Sequence, residues 1–376
     1  MKKIISSFLI ALFVISCSHN KIQVEKKSFQ NLPSIGTAIE TGPISLGGFS
    51  GLQKIGEDTY LTLTDRGPNG PMIDYKKNGK KYRPFLLPSY HPEIVTFTAK
   101  DELKVISRIS INTTGLPNVP GIDEQPSTPR GTPLVMSPIG IDSEGIYQDE
   151  QSNFWIVEEY GPSLLKIAKD GKVLNRFIPQ EAPLKRAGKP TLSKVLNKRR
   201  DNRGFEGLTY SNGKLYMALQ SPINKKSKLI PIIEFDPKTE SQTGLYLYEL
   251  DQNSDKVGDL TTSPDGRLFL LEQNGKTGKE CYRRVYSFKI DKRLNLIGTP
   301  GEIELTGEKL NKALEYDLFH KILNEEEKVE GISFIDDKTL ALIADNDFGL
   351  GMLFDEETGK IGKMLNNPSN FYIIKK

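Results

Sequence analysis

The chain has 376 residues, 37% hydrophobic and 26% charged, which is ample for one large domain or for two to three ordinary ones. Its 51 Lys+Arg against 48 Asp+Glu leave a net charge of +3 with no basic tract, which argues against nucleic acid as a partner. Two cysteines (Cys17, Cys281) rule out a disulfide scaffold or a cysteine-rich zinc site, and three histidines (His19, His91, His320) argue against a histidine-clustered metal centre.

Lys2 and Lys3 open the chain and an apolar run from Ile4 to Ile15 follows. A charged start before a short apolar run reads as a secretory leader, and the run is shorter than the roughly 20 residues that span a bilayer. The end Val14-Ile15-Ser16-Cys17 resembles a bacterial lipobox, whose cysteine becomes the acylated first residue. Residues 1–16 therefore read as leader, Cys17 as the lipidation site and 17–28 as a polar tether. The expected location is the cell envelope, outside the cytoplasm, with lipid as the only membrane contact (on the outer membrane if the cell is Gram-negative). Cys281 is left unpaired and is expected to be a buried, inert thiol.

From residue 29 to 376 one short phrase recurs. It appears as Phe49-Ser50-Gly51-Leu52, Ser143-Glu144-Gly145-Ile146, Phe205-Glu206-Gly207-Leu208, Val257-Gly258-Asp259-Leu260 and Val329-Glu330-Gly331-Ile332. After each copy come a polar turn and an apolar strand, such as Tyr60-Leu61-Thr62-Leu63-Thr64 or Leu215-Tyr216-Met217-Ala218-Leu219. A third strand and then an outer one follow in most copies. Strand-turn-strand at a period of tens of residues predicts an all-β fold, a β-propeller with five recognisable repeats and five or six blades. A strand from the segment Phe29 to Ile44 is expected to close the ring onto the last copy, and the chain is expected to be monomeric.

Two stretches interrupt the rhythm. Residues 112–139 carry Pro117, Pro120, Pro126, Pro129, Pro133 and Pro138, so they are neither helix nor central strand and either cover a site or are disordered. Leu310, Leu314, Leu318 and Ile322 recur every four residues, which predicts a helical insertion over 309–324 with His320 as a surface or packing residue.

In a propeller the first strand of each blade lines a central channel. Glu144, Glu206 and Glu330 occupy one repeat position, with Asp259 one place away, so three or four carboxylates converge on one axis. Like charges in a low dielectric repel, and a hard divalent cation relieves them by taking several oxygens at once. Asp65, Glu159, Gln220, Glu272, Asp345, Asn346 and Asp347 end the second strands and add oxygen donors at the same mouth. Without histidine or thiolate ligands the expected ion is Ca²⁺, ahead of Mg²⁺ or Mn²⁺. Arg66 and Arg203, flanked by these acids, suit an anionic oxygen ligand such as phosphate, or equally pair with the acids to hold a loop. No Gly-x-Ser-x-Gly elbow, phosphate loop or dinucleotide fingerprint is present.

Several ordered motifs resemble the bacterial "esterase-like activity of phytase" (phytase-like) family. They are Gly48 to Leu52 with Thr64-Asp65-Arg66-Gly67-Pro68, and Asp142 to Ile146 with Glu158-Glu159-Tyr160-Gly161-Pro162-Ser163. Asn202 to Leu208 with Ala218 to Pro222, and Val329 to Ile332 with Ala344-Asp345-Asn346-Asp347-Phe348-Gly349, continue the series. The resemblance implies an envelope propeller with phosphoesterase activity. Glu158 stands where the family pattern leads us to expect Asp, and no arginine follows Glu272, which sets the fourth repeat apart. The expected function is metal-dependent phosphoester hydrolysis of a phosphorylated small molecule or other anionic ligand. The metal set is Glu144, Glu206, Glu330, Asp259 and Asp345; Asp65, Glu159, Arg66 and Arg203 are catalytic; Gln220, Asn346 and Asp347 touch substrate. The alternatives are a lactonase-type metal hydrolase and a non-enzymatic binding propeller with a structural ion.

Overall fold

The computed structural model describes residues 22–376 apart from 119–123, 184–186, 319–322, 324, 327, 351–352, 356–360 and 363–366. The leader, Cys17 and His320 lie outside the described residues. Five sheets, each a four-stranded antiparallel meander, stand around one axis as the blades of a five-bladed propeller. Their inner strands are Phe49–Lys54, Ser143–Gln148, Phe205–Ser211, Lys256–Thr262 and Val329–Asp336, and each packs against the inner strands of both neighbours, the fifth against the first. The second blade carries an extra outer strand, Lys189–Leu192, parallel to Val173–Pro179.

Apolar residues run almost without break along the second strands because both faces of each blade are buried. In Lys214–Leu219, Leu215, Met217 and Leu219 face the second blade, while Tyr216 and Ala218 face the fourth. Similar clusters fill the other three gaps between blades. The recurring glycine has a steric origin. A Cβ on Gly51 would meet Glu144 O at 2.6 Å, one on Gly145 would meet Leu208 N at 2.7 Å, and one on Gly207 would meet Leu260 N at 2.5 Å. On Gly331 it would meet Gly51 C at 2.8 Å, which completes the circuit. The phrase thus marks where neighbouring inner strands touch backbone to backbone. We expect Gly207→Ala to lower stability by about 3 kcal/mol, the upper range for an overpacked core. A urea midpoint equal to that of the wild type would refute this account.

Both ends of the chain build the fifth blade. Asn370–Lys375 pairs with Thr339–Ala344, and Gln23–Ser28 pairs antiparallel with Asn370–Lys375 as the outermost strand. The closing strand is therefore Gln23–Ser28, within the stretch expected to be tether, and not a piece of 29–44. Ser34–Ala38 and Gly42–Ser45 pair only with each other.

The described residues of 309–324 form no helix: Lys312–Asp317 is the outer strand of the fourth blade. A spacing of four satisfies one face of a strand as well as one face of a helix, because 310, 314 and 318 are all even positions. A register shift between Leu314 and Tyr316 then turns Leu314 outward, while Leu310 and Leu318 stay buried. Among the described residues the one α-helix is Pro300–Glu304, and no helix is long and apolar enough to cross a membrane.

The long first interval is explained by two excursions from the first blade. Tyr82–Pro84 and Gln125–Ser127 pair as a small parallel sheet, and Ile73, Leu86, Tyr90, Phe348 and Phe354 form a separate apolar cluster with Ala38 and Ile44. From the Pro-rich stretch, Glu124 reaches Arg66 and Arg83.

Candidate functional site

The second strands end in step. Thr64, Glu158, Leu219, Glu272 and Ala344 pair with the first residue of each repeated phrase (Phe49, Ser143, Phe205, Val257 and Val329), so Asp65, Glu159, Gln220, Gln273 and Asp345 are equivalent and emerge at one mouth. Every inner strand also shifts register at the repeated phrase, skipping Glu206, Gly258 and Glu330 in blades three to five. An extra residue in a strand has no ladder partner and re-aims its side chain. That places Glu206 and Glu330 in the channel, with Glu144 at the corresponding irregularity of the second blade.

Phase explains two corrections. Glu272 is one residue short of the mouth position, so alternation turns it into the fourth blade, where it accepts from the Tyr248 hydroxyl (2.6 Å), Asp251 N (2.7 Å) and the Lys312 ammonium. Asp259 stands where other blades have the ring glycine. Its Oδ1 accepts from Leu260 N at 2.7 Å and its Oδ2 from Ile332 N at 2.9 Å, and the amides of Leu208 and Leu52 also face it. Asp259 is thus bound by backbone amides of four blades and is not a member of the metal set. Gln273, the true fourth-blade counterpart, ties its blade to the fifth through Val329 O (3.0 Å) and Val329 N (3.2 Å).

Two groups of acids lie close enough to share an ion, and Glu206 and Glu330 belong to neither. Ligand atoms of Asp142, Glu144 and Glu159 lie within 4.8 Å of one another, as do those of Asp65, Asp345 and Asp347. Burial raises the Glu144 and Glu206 carboxyls well above the ordinary range, and they and Glu330 add mutual repulsion. Glu159 is pushed up to about 8 by burial and by Asp142, against the pull of Arg203 and Arg66. Asp345 rises to about 8 by burial and by Asp347, against Lys328. Asp65 is raised by burial, Asp345 and Asp142.

Partners distinguish the carboxylates. Glu330 accepts from Ser50 Oγ at 3.4 Å and has Lys256 Nζ 4.0 Å away. Lys328 lies 2.8 Å from Asp345 Oδ2 and 2.5 Å from Asp347 Oδ1. Gln220 donates to Glu206 Oε2 at 2.8 Å, which fixes the orientation of its amide. At the mouth, Glu144 Oε2, Glu206 Oε1 and Gln220 Oε1 are buried without a hydrogen-bond donor among the described residues. Buried oxygens without donors are costly, and a cation is one way to compensate them. This donor set, all oxygen, fits a hard divalent ion.

The guanidiniums differ in availability. Arg66 Nη1 is shared between Asp142 Oδ2 (2.9 Å), Glu124 Oε2 (3.3 Å) and Asn202 Oδ1 (2.7 Å), and its side chain is 11% exposed. It holds the blade-one and blade-two loops together and lies over the Tyr160 ring. Arg203, 39% exposed, reaches Glu159 Oε1 at 3.4 Å and Asn202 O at 2.6 Å. Asn346 accepts from Gly48 N (3.1 Å) and donates to Asn367 O (2.7 Å), so its amide clamps a loop. Asp347 is 43% exposed beside Lys328.

Sequence reasoning missed Asp142, Glu124, Lys256 and Lys328. Asp142 and the two lysines occupy one repeat position, directly before the inner-strand phrase, so the alignment of repeats would have found them. Glu124 comes from the Pro-rich stretch, pairs with Arg83 and Arg66, and carries no periodic signal. The Glu158 departure is structural: buried, it accepts from Tyr160 N, Gly161 N (both 3.0 Å) and Ser163 Oγ (2.9 Å), and pairs with Arg176 at 3.3 Å.

A β-propeller whose channel mouth carries two buried carboxylate groups is the class that fold and site define. A family model described as "Phytase-like: Esterase-like activity of phytase" matches residues 44–348, and the chain belongs to that family. A 105-residue stretch is 35% identical to an "Uncharacterized secreted protein" of Arthroderma benhamiae, covering 23% of this chain and 20% of that one, so the match takes in a fifth of the relative's length. Among solved structures, a GH43 β-1,3-galactosidase is 10% identical with a TM-score of 0.44, over 90% of this chain and 94% of that one. The α-L-arabinofuranosidase PaAbf62A of Podospora anserina is 8% identical with a TM-score of 0.44, over 93% and 94%. Likenesses at this level carry no functional argument.

Proposed function

We propose that the protein is a Ca²⁺-dependent phosphoester hydrolase of the cell envelope, with its site on the blade-two and blade-three side of the channel mouth. The observation that carries this reading is the set of three buried, donorless oxygens on Glu144, Glu206 and Gln220 beside an exposed guanidinium. Glu144 and Glu206 would hold the ion; Glu330, Asp259 and Asp345 have other partners. When bound, such an ion supplies Lewis acidity toward a phosphoryl oxygen and an attacking water. Arg203 binds the phosphate and offsets the negative charge that grows on it. Glu159, held by Arg203, takes the proton as the water oxygen bonds to phosphorus and the ester oxygen leaves. Arg66 positions Asp142 and the loop that carries Asn202. The leader and Cys17 support attachment to the envelope through lipid.

The test is turnover on aryl phosphates, bis-phosphates and aldonolactones, before and after chelation. We expect phosphate ester hydrolysis that stops in chelator and returns with Ca²⁺. Lactone turnover alone would make the protein a lactonase, and ion-dependent melting with no turnover would make the ion structural.

A further inference from the structure

Around the blade-three to blade-five side, acids alternate with lysines. Lys256 and Lys328 are the same repeat position, each directly before the valine that opens the repeated phrase, Val257 or Val329. The other blades place Gly48, Asp142 and Gly204 there. Lys256 Nζ lies 4.0 Å from Glu330 Oε1, within ion-pair range. Lys328 lies between the Asp345–Asp347 pair and Glu330. Its ammonium is 2.8 Å and 2.5 Å from one oxygen of each aspartate, and Asp65 completes a three-carboxylate group within 4.8 Å. Two of these three acids are only 6% exposed.

We propose that Lys328 is a fixed cation filling the seat that a second divalent ion would otherwise take. The channel then holds its exchangeable ion only on the blade-two and blade-three side. A lysine ammonium is a compact charge with three donors, able to bridge two carboxylates, but it cannot exchange with the medium. The arrangement gives the mouth a second positive centre independent of ion supply. In the hydrolase reading, on which this functional consequence rests, the chemistry is that of one ion plus a lysine, not of an ion pair. Lys328 is a positioning residue in that scheme, since it holds Asp345 and Asp347.

Calorimetric titration of the full chain with Ca²⁺ alone tests this. Lys328→Met is expected to bind one ion more than the wild type, Lys328→Met with Asp345→Asn to lose that extra ion, and Lys328→Arg to keep the wild-type stoichiometry. A Lys328→Met protein that melts cooperatively and binds no additional ion overturns the proposal. Lys328→Gln, closer in polarity, serves if the methionine variant does not fold. In the wild type itself, two ions at saturation would also overturn it, because the seat would then be open. Wild type binding none would sink the hydrolase reading alone, since the increment is measured against whatever the wild type binds.

Discussion

Replacing Glu206 by Gln is expected to reduce phosphoester hydrolysis by at least about 100-fold, the scale for removing one group that stabilises transition-state charge. The substitution keeps volume and removes the negative charge that the ion needs, so Ca²⁺ should no longer raise the melting temperature. It has an opposite effect on the ion-free protein. Glu206 is 1% exposed, has one oxygen without a donor, and is repelled by Glu330 and Glu159. Neutralising it relieves that repulsion, so Glu206→Gln without ion should melt above the wild type without ion. A variant that retains activity, or that melts lower in chelator than the wild type, would contradict the site as drawn.

The second large effect is the response of the ion-free protein to pH. Glu159 and Asp345 have folded-state pKa values near 8, against 4.5 and 3.8 for the unperturbed groups. Between those limits the folded state binds more protons than the unfolded state, so stability falls as pH rises. Each group contributes up to about 1.4 kcal/mol per pH unit where the two states differ by a full proton. In chelator, the melting temperature should therefore drop steadily from pH 5 to pH 8. With saturating Ca²⁺ the drop should shrink, since the ion favours the ionised carboxylates. Melting temperatures in chelator that stay level or climb over this range would show that the buried acids are compensated in some other way.

How far the sequence discloses this molecule depends on whether a residue's role follows the repeat. Glu144, Glu206 and Glu330 were legible because the bulge and the ring glycine beside them recur, and the reasons are steric. The fourth blade misled, because Val257-Gly258-Asp259 shifts its acid by one place. In a strand of period two, one place separates a mouth residue such as Gln273 from a blade-filling one such as Glu272. Leu310, Leu314 and Leu318 were ambiguous in principle, since their spacing serves either periodicity. Glu124 was invisible, as it reaches Arg66 and Arg83 from an insertion whose path depends on tertiary packing alone. The closing strand was hidden by its polarity: it is an edge, and Gln23, Val24, Glu25 and Lys26 look outward.

The blade shared by both termini bears on how the chain folds. Ser28 Oγ donates to Asn370 Oδ1 at 2.6 Å across 342 residues of sequence. The first strand emerges from synthesis without a mate and must wait for nearly the whole polypeptide before it can dock. Any state with the other four blades formed before this pairing would present unpaired strand edges, the feature that invites intermolecular strand capture. The lysine and glutamate side chains of Gln23–Ser28 guard that waiting edge, which accounts for a polar composition in a segment that ends up as part of a sheet.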